Sequence, residues 1–186
     1  MDFTYQSYKK LIKLIQANNY SITSYSSWEQ TPKCVILRHD IDYDINKALK
    51  LAQIEHELGV ASTYFVLITS DFYNVLSLKN LKSLNEILSY GHTIGLHFDE
   101  MNYTGNNTIE DVRNHIIDEA DILSRIIDHK IDVVSMHRPS KMILDSDLSI
   151  PGIINSYGNK YFKEFKYVSD SRRRWREPIE NIICSG

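Results

Sequence analysis

Cys34-Val35-Ile36-Leu37 runs without a break into Arg38-His39-Asp40-Ile41-Asp42-Tyr43-Asp44. The first four residues form a short apolar run after Pro32, which reads as a buried strand. The residues behind them place acids, an imidazole and a guanidinium at that strand's end. Ile45, Ala48, Leu49, Ala52 and Leu58 then recur at helical spacing and stop at Gly59. Thr63-Tyr64-Phe65-Val66-Leu67 is β-branched and aromatic, the composition of a second strand. Leu78, Leu81, Leu84 and Leu88 mark a helix ended by Gly91, and Thr93-Ile94-Gly95-Leu96 a third strand, weakened by its glycine.

Thr108 is suited to cap the next helix, with Asp111 in its first turn. Val112, Ile116, Ile117, Ala120, Leu123 and Ile127 supply its apolar stripe, which fades near His129-Lys130, and Ile131 to Met136 is a fourth strand. Upstream, Tyr8, Leu11, Ile12 and Ile15 predict an amphipathic helix over residues 5–18. Downstream the periodicity weakens through Pro151-Gly152, and a short strand is expected at Lys166-Tyr167-Val168. Strands alternating with helices predict parallel βαβ units. In such folds catalytic and binding groups gather beyond the carboxyl ends of the strands.

The bulk properties narrow the class. A length of 186 residues suits one domain over 1–186, and 42% hydrophobic with 24% charged residues is ordinary for a globular chain. A net charge of -3 argues against a nucleic-acid footprint. The run Arg172-Arg173-Arg174, continued by Arg176, reads equally well as a solvated loop. Cys34 and Cys184 lack metal-type spacing. No charged-then-apolar leader opens the chain and no stretch approaches the roughly 20 apolar residues of a membrane span, so a cytoplasmic protein is expected.

Asp40 and Asp42 are two residues apart, so an extended backbone sends both carboxylates to one side. Two acids that close repel unless a cation joins them or one takes a proton. One could ligate a metal while the other takes a proton from attacking water; alternatively Asp42 or Asp44 caps the following helix. The third strand ends in His97, followed by Asp99-Glu100, while His92 lies at its opposite end. The fourth ends in His137-Arg138-Pro139, where Arg138 could hold a carboxylate base or form a surface ion pair. Tyr167-Val168-Ser169-Asp170 ends a further strand with an acid. Metal-assisted hydrolysis needs carboxylate and imidazole ligands, an open position and a base nearby, and these residue types stand at the strand ends. His56, His115 and His129 fall on helices and read as ordinary residues.

In this order the strand ends resemble the polysaccharide deacetylase superfamily (NodB homology, carbohydrate esterase family 4). Leu37-Arg38-His39-Asp40-Ile41-Asp42 is similar to its first motif, Ala61-Ser62-Thr63-Tyr64-Phe65 to its second strand, Gly91 to His97 to its Gly-His segment, and His137-Arg138-Pro139 to its arginine-proline motif. The region from about 33 to 178 resembles the WbmS-like branch. The resemblance implies a distorted (β/α) barrel with fewer than eight strands, possible incompleteness at its C-terminus included, and removal of an N- or O-acyl group from a sugar. It implies Asp40 as general base, Asp42 and His97 as metal ligands, and Arg138 as the residue that orients the base. The family's second metal histidine corresponds to Met101, whose thioether is a poor ligand for a hard divalent ion. His137 or Glu100 is the candidate third ligand. The family's late histidine motif has no counterpart, which leaves His39 or His137 as candidate general acids.

The expected activity is therefore metal-dependent deacylation of an acylated amino sugar in bacterial surface-glycan biosynthesis, free or as a nucleotide- or lipid-linked precursor. Zinc is the first candidate metal, with nickel, cobalt or manganese behind it, and Asp170 and Trp175 are candidate substrate contacts. The alternatives are a non-catalytic carbohydrate-binding or scaffolding protein of the same fold, or a hydrolase of cyclic amides. Acyl group, sugar and oligomeric state are left open.

Overall fold

The computed structural model describes residues 2–103, 105, 108–169 and 175–185. The chain begins with helix α1 (Tyr5–Ala17), capped by the Thr4 side chain, and strand β1 (Ser21–Thr23). The strand expected at 34–37 is present over 34–36, and the residues read as its end form a second strand. β2 (Cys34–Ile36) pairs parallel with β1, and β3 (Arg38–Ile41) pairs parallel with β4 (Thr63–Val66). Between β3 and β4 lies α2 (Ile45–Glu57). α3 (Leu78–Ser89) leads to β5 (Thr93–Phe98), and α4 (Ile109–Ile127) to β6 (Val133–Met136). α5 (Lys141–Ser146), β7 (Ile154–Asn155), α6 (Asn159–Glu164) and α7 (Ile179–Ser185) complete the elements.

The local signals that set these ends are visible. α2 and α3 run out just before Gly59 and Gly91, both at positive φ, where a side chain would be strained. Thr108 and Asp111 form a reciprocal capping box at the start of α4, a feature worth about 1 kcal/mol. The strand expected at 166–168 is absent: Lys166 to Ser169 is irregular, and β7 takes the place beside β6 instead.

β3-β4-β5-β6-β7 lie side by side in chain order, all parallel. A sequential order with crossovers of one hand puts the connecting helices on one face. The core shows this: Ile41, Tyr64, Val66, Ile94, Leu96, Phe98, Val134 and Met136 pack with Ala52, Leu84, Ile116 and Leu123 of the helices. Residues of opposite parity face the other way. On that inner face Asp40 pairs in register with Phe65, and Phe65 with Gly95. Phe65, Val133 and Tyr25 form a separate cluster there, with Ile36, Ile154 and Tyr161 against it.

The outer strands of the sheet, β3 and β7, approach through side chains, since Arg38 Nη1 donates to Ser156 Oγ at 3.2 Å. The result is a curled sheet of fewer than eight strands that strand pairing does not close among the described residues. α1 packs with α7 and with Val60 in a second cluster. No helix among the described residues is long and apolar enough to cross a membrane.

Gly95 carries a steric requirement. A Cβ there would stand 2.6 Å from the Phe65 ring and 2.9 Å from Val133 Cγ1. Both neighbours are buried, so neither can swing clear. Gly95→Ala is expected to destabilise the fold by about 1–3 kcal/mol through overpacking, read as a lower urea midpoint; an unchanged midpoint would contradict this packing.

Candidate metal centre

Three of the inner-face residues converge at the carboxyl ends of their strands. His97 lies near the end of β5, opposite Ser135 in register, and His137 follows β6, its backbone N–H donating to Phe98 O at 2.8 Å. Asp42 follows β3. Its backbone is pinned from the β4 side, where Tyr73 donates to Ile41 O at 2.7 Å and Ser70 to Asp42 O at 3.0 Å. Asp44 is the residue that caps α2, accepting from Asn46 N at 2.9 Å, which leaves Asp40 and Asp42 free of that duty.

His97 Nε2 and His137 Nδ1 are 3.0 Å apart, and each is 3.4 Å from Asp42 Oδ1. One ligand atom from each residue lies within 4.8 Å of the others. Donors around a tetrahedral ion with bonds of about 2.0–2.1 Å would be spaced by about 3.3 Å. Two imidazole nitrogens this close either share a proton or both aim lone pairs at a cation. Asp42 Oδ1 is buried and has no hydrogen-bond partner among the described residues, and such an atom is costly unless a cation meets it. The donor set of two imidazoles and one carboxylate fits a divalent ion of the zinc type. Burial pushes the Asp42 carboxyl up, but the neighbouring His97 and His137 bring it below its ordinary value. His97 Nδ1, on the far side of its ring, is buried and unpartnered among the described residues.

Asp40 stands beside this group, its Oδ2 4.0 Å from His97 Nε2. Arg138 does not reach it. Arg138 pairs instead with the buried Asp99, through Nη2 and, at 3.3 Å, through Nε. The guanidinium on Asp40 is that of Arg38, whose Nη2 lies 2.7 Å from both carboxylate oxygens. Arg38 also donates to Ser135 Oγ and lies over the rings of Phe65 and Tyr157, at 4.9 and 5.4 Å. Burial works against its charge, yet Asp40, Tyr25 and Tyr157 together outweigh burial and hold the guanidinium pKa above its ordinary value. Sequence reasoning passed over Arg38, although its two-residue offset from Asp40 places both on one face.

The other candidates stand elsewhere. His39 has odd parity on β3 and points to the helix side, where its Nε2 meets Glu55 Oε1 at 2.7 Å, beside Tyr8 and Tyr64. It is not available at the mouth as a general acid. Glu55 is buried and also accepts from Tyr8, Ser62 and Tyr64, the last two at 2.6 Å. Burial raises the Glu55 carboxyl, but the His39 charge and the surrounding donors bring it down to about 2.

Glu100 accepts from Ser140 N at the start of α5, and Met101 is exposed, so neither enters the donor set. Trp175 stacks on Phe3 at 5.7 Å and joins the α1–α7 cluster rather than the mouth. Asp170 and Arg172 to Arg174 lie outside the described residues. A cavity of about 1260 Å³ is walled by Tyr8, Leu37, His39 and Trp175 among others, and by none of Asp42, His97 and His137. The mouth has one feature the sequence reading missed: Tyr43 and Phe72, each about two-thirds exposed, meet edge to face at 4.7 Å just beyond Asp42.

No family model matches the sequence, and no curated protein matches it. Among solved structures, the chain is similar to the deacetylase PplD of Streptococcus pyogenes in complex with acetate, at 15% identity and a TM-score of 0.56. That likeness covers 76% of this chain and 66% of the other, so this chain spans just under two thirds of PplD. It is similar also to IcaB from Ammonifex degensii, at 10% identity and a TM-score of 0.56, covering 75% and 69%. The shared architecture is a NodB-like α/β fold on a parallel five-stranded sheet.

Two expectations follow. The wild-type protein should bind about one zinc ion per chain, and His137→Ala should lower that affinity by more than the roughly 10- to 100-fold typical of an outer-shell change. Equilibrium dialysis with elemental analysis reads this, and an unaltered affinity would remove His137 from the donor set. For Glu55, the folded value lies below the ordinary 4.5, so its contribution is full above that pH and lost as pH falls toward about 2. That loss is on the order of 3 kcal/mol. Urea unfolding from neutral to acid pH should show a shallower acid limb in Glu55→Gln than in wild type.

Proposed function

We propose that this chain, whose fold is that of the polysaccharide deacetylases, is a metal-dependent hydrolase that removes an acyl group from an acylated amino sugar. The observation that carries the reading is the meeting of Asp42, His97 and His137 beside Asp40 at the carboxyl ends of parallel strands. Three protein donors leave one position of a tetrahedral ion open, as catalytic sites do and structural sites do not. A divalent ion held there would supply Lewis-acid polarisation of the acyl carbonyl and a lowered pKa for water.

The chain's own residues do the rest. Asp40 takes the proton of the water that attacks the acyl carbon and returns it to the nitrogen as the C–N bond breaks. Carboxylic acid and free amine leave with atoms balanced. This double use of Asp40 follows from the absence, among the described residues, of an unengaged imidazole at the mouth: His39 is on Glu55 and His137 is in the donor set. Tyr43 and Phe72 offer aromatic faces on which a sugar ring stacks.

An acetyl group is supported by the Streptococcus pyogenes neighbour, a deacetylase in complex with acetate. Two imidazoles with one carboxylate favour zinc, ahead of nickel, cobalt or manganese. The sugar belongs, in this reading, to a bacterial surface glycan or to its nucleotide- or lipid-linked precursor.

One observation favours a second reading, a carbohydrate-binding protein without turnover. Both oxygens of Asp40 are already engaged by Arg38. The two readings separate in an acetate-release assay on N-acetylated amino sugars, offered free, oligomeric and nucleotide-linked. Under the hydrolase reading, chelation abolishes release, zinc restores it, and Asp42→Ala lowers it at least about 100-fold. Release at the wild-type rate by Asp42→Ala would overturn the reading. Glycan binding that needs no metal and gives no acetate would establish the second one.

A further inference from the structure

Arg38 sits where a base-holding arginine was expected of Arg138, and we infer that Arg38 is the positioning residue of the site: it holds Asp40 beside the metal donors and keeps it from joining them. The inference rests on the proposed hydrolytic reading. Asp40 and Asp42 lie on one face of one extended segment, and Asp40 Oδ2 is already 4.0 Å from His97 Nε2. A carboxylate free to rotate this near a donor nitrogen would be drawn into the coordination of a divalent ion held by that nitrogen. It would then fill the position that water and substrate need, and would cease to be a base.

Arg38 prevents this by geometry. Its Nη2 is 2.7 Å from each oxygen of Asp40, so the carboxylate's rotation is fixed by one donor group. The guanidinium is fixed in turn. Ser135 Oγ and Ser156 Oγ accept from it, and it lies over the rings of Phe65 and Tyr157. Arg38 is therefore held more closely than the carboxylate it grips, its side chain only 15% exposed against 32% for Asp40. Arg138, by contrast, is 59% exposed and committed to Asp99.

The consequence runs against intuition, because loosening the site should tighten its hold on metal. Releasing Asp40 would offer an ion held there a fourth protein donor and cost turnover at the same time. A residue that merely supports the fold would lower both.

The test uses the full chain as wild type, Arg38→Gln, Asp40→Asn and the double variant. Zinc competition should show Arg38→Gln binding at least about threefold tighter than wild type, and this gain should vanish in the Asp40→Asn background. Turnover of Arg38→Gln should fall about 100-fold with KM within about twofold, and added guanidinium ions should restore part of it. Unfolding in urea without metal should show the Arg38–Asp40 pair coupled by about tenfold in the unfolding constant. Arg38→Lys, which keeps the balancing charge, replaces Arg38→Gln if the latter does not fold.

Looser zinc binding, or a gain indifferent to Asp40→Asn, would overturn the inference, as would wild-type turnover in Arg38→Gln. If zinc tightens as expected while the wild type releases no acyl group from any sugar, it is the hydrolase reading that fails. If no variant binds zinc, an absent Arg38–Asp40 coupling overturns the inference and the missing metal overturns the hydrolase reading separately.

Discussion

The contact of Arg38 with Asp40 makes a polar interior possible in this fold. A parallel sheet whose helices all lie on one face must do something with the other. Here the lower part of that face is filled with Phe65, Val133 and Tyr25, and the upper part is polar. Placing charge inside a curled sheet costs several kcal/mol per ion unless each charge finds partners. Arg38 meets the requirement with a carboxylate, two serine hydroxyls and two aromatic faces. Its bond to Ser156 also ties β3 to the residue that follows β7, so charge neutralisation and curvature of the sheet depend on the same side chain.

Once Asp40 is settled by Arg38, the remaining polar groups at the strand ends have only each other. Asp42 Oδ1 is buried without a hydrogen bond among the described residues, facing two imidazole nitrogens. This is an unfavourable arrangement in an apo core and a favourable one around a cation. The helix side of the sheet shows the contrast. There Glu55 is equally buried, but four side chains supply donors to its two oxygens, and the group reads as a finished structural network. Satisfaction distinguishes the two clusters: on the helix side both oxygens of Glu55 have donors, whereas at the strand ends Asp42 Oδ1 has none among the described residues.

Much of this was legible in the residues. The alternation of apolar runs gave α2 to α4 and β4 to β6 their places, because glycine stops and a capping box punctuate them. The convergence of Asp42, His97 and His137 follows from strand-end logic once the strands are parallel. β7 is not legible, since two residues carry no periodic signal, and Lys166-Tyr167-Val168, with an aromatic and a β-branched residue, has more strand character than Ile154-Asn155. His39 was misplaced although the means to place it were at hand. The same two-residue period that brings Asp40 and Asp42 together sends His39 to the helices. Arg138 was given to Asp40 by resemblance; the local pair Arg38–Asp40 is shorter in sequence and already on one face, and it leaves Arg138 to Asp99. Trp175 carries no pattern that separates packing on Phe3 from stacking on a sugar.

The central claim is that two imidazoles and one carboxylate of this chain share a single ion. X-ray absorption at the zinc edge of the zinc-loaded protein tests it most directly. The account predicts a shell of light N/O donors near 2.0–2.1 Å whose outer-shell scattering requires two imidazole rings, reduced to one ring in His137→Ala. A wild-type spectrum that needs no imidazole, or one unchanged by His137→Ala, would contradict it.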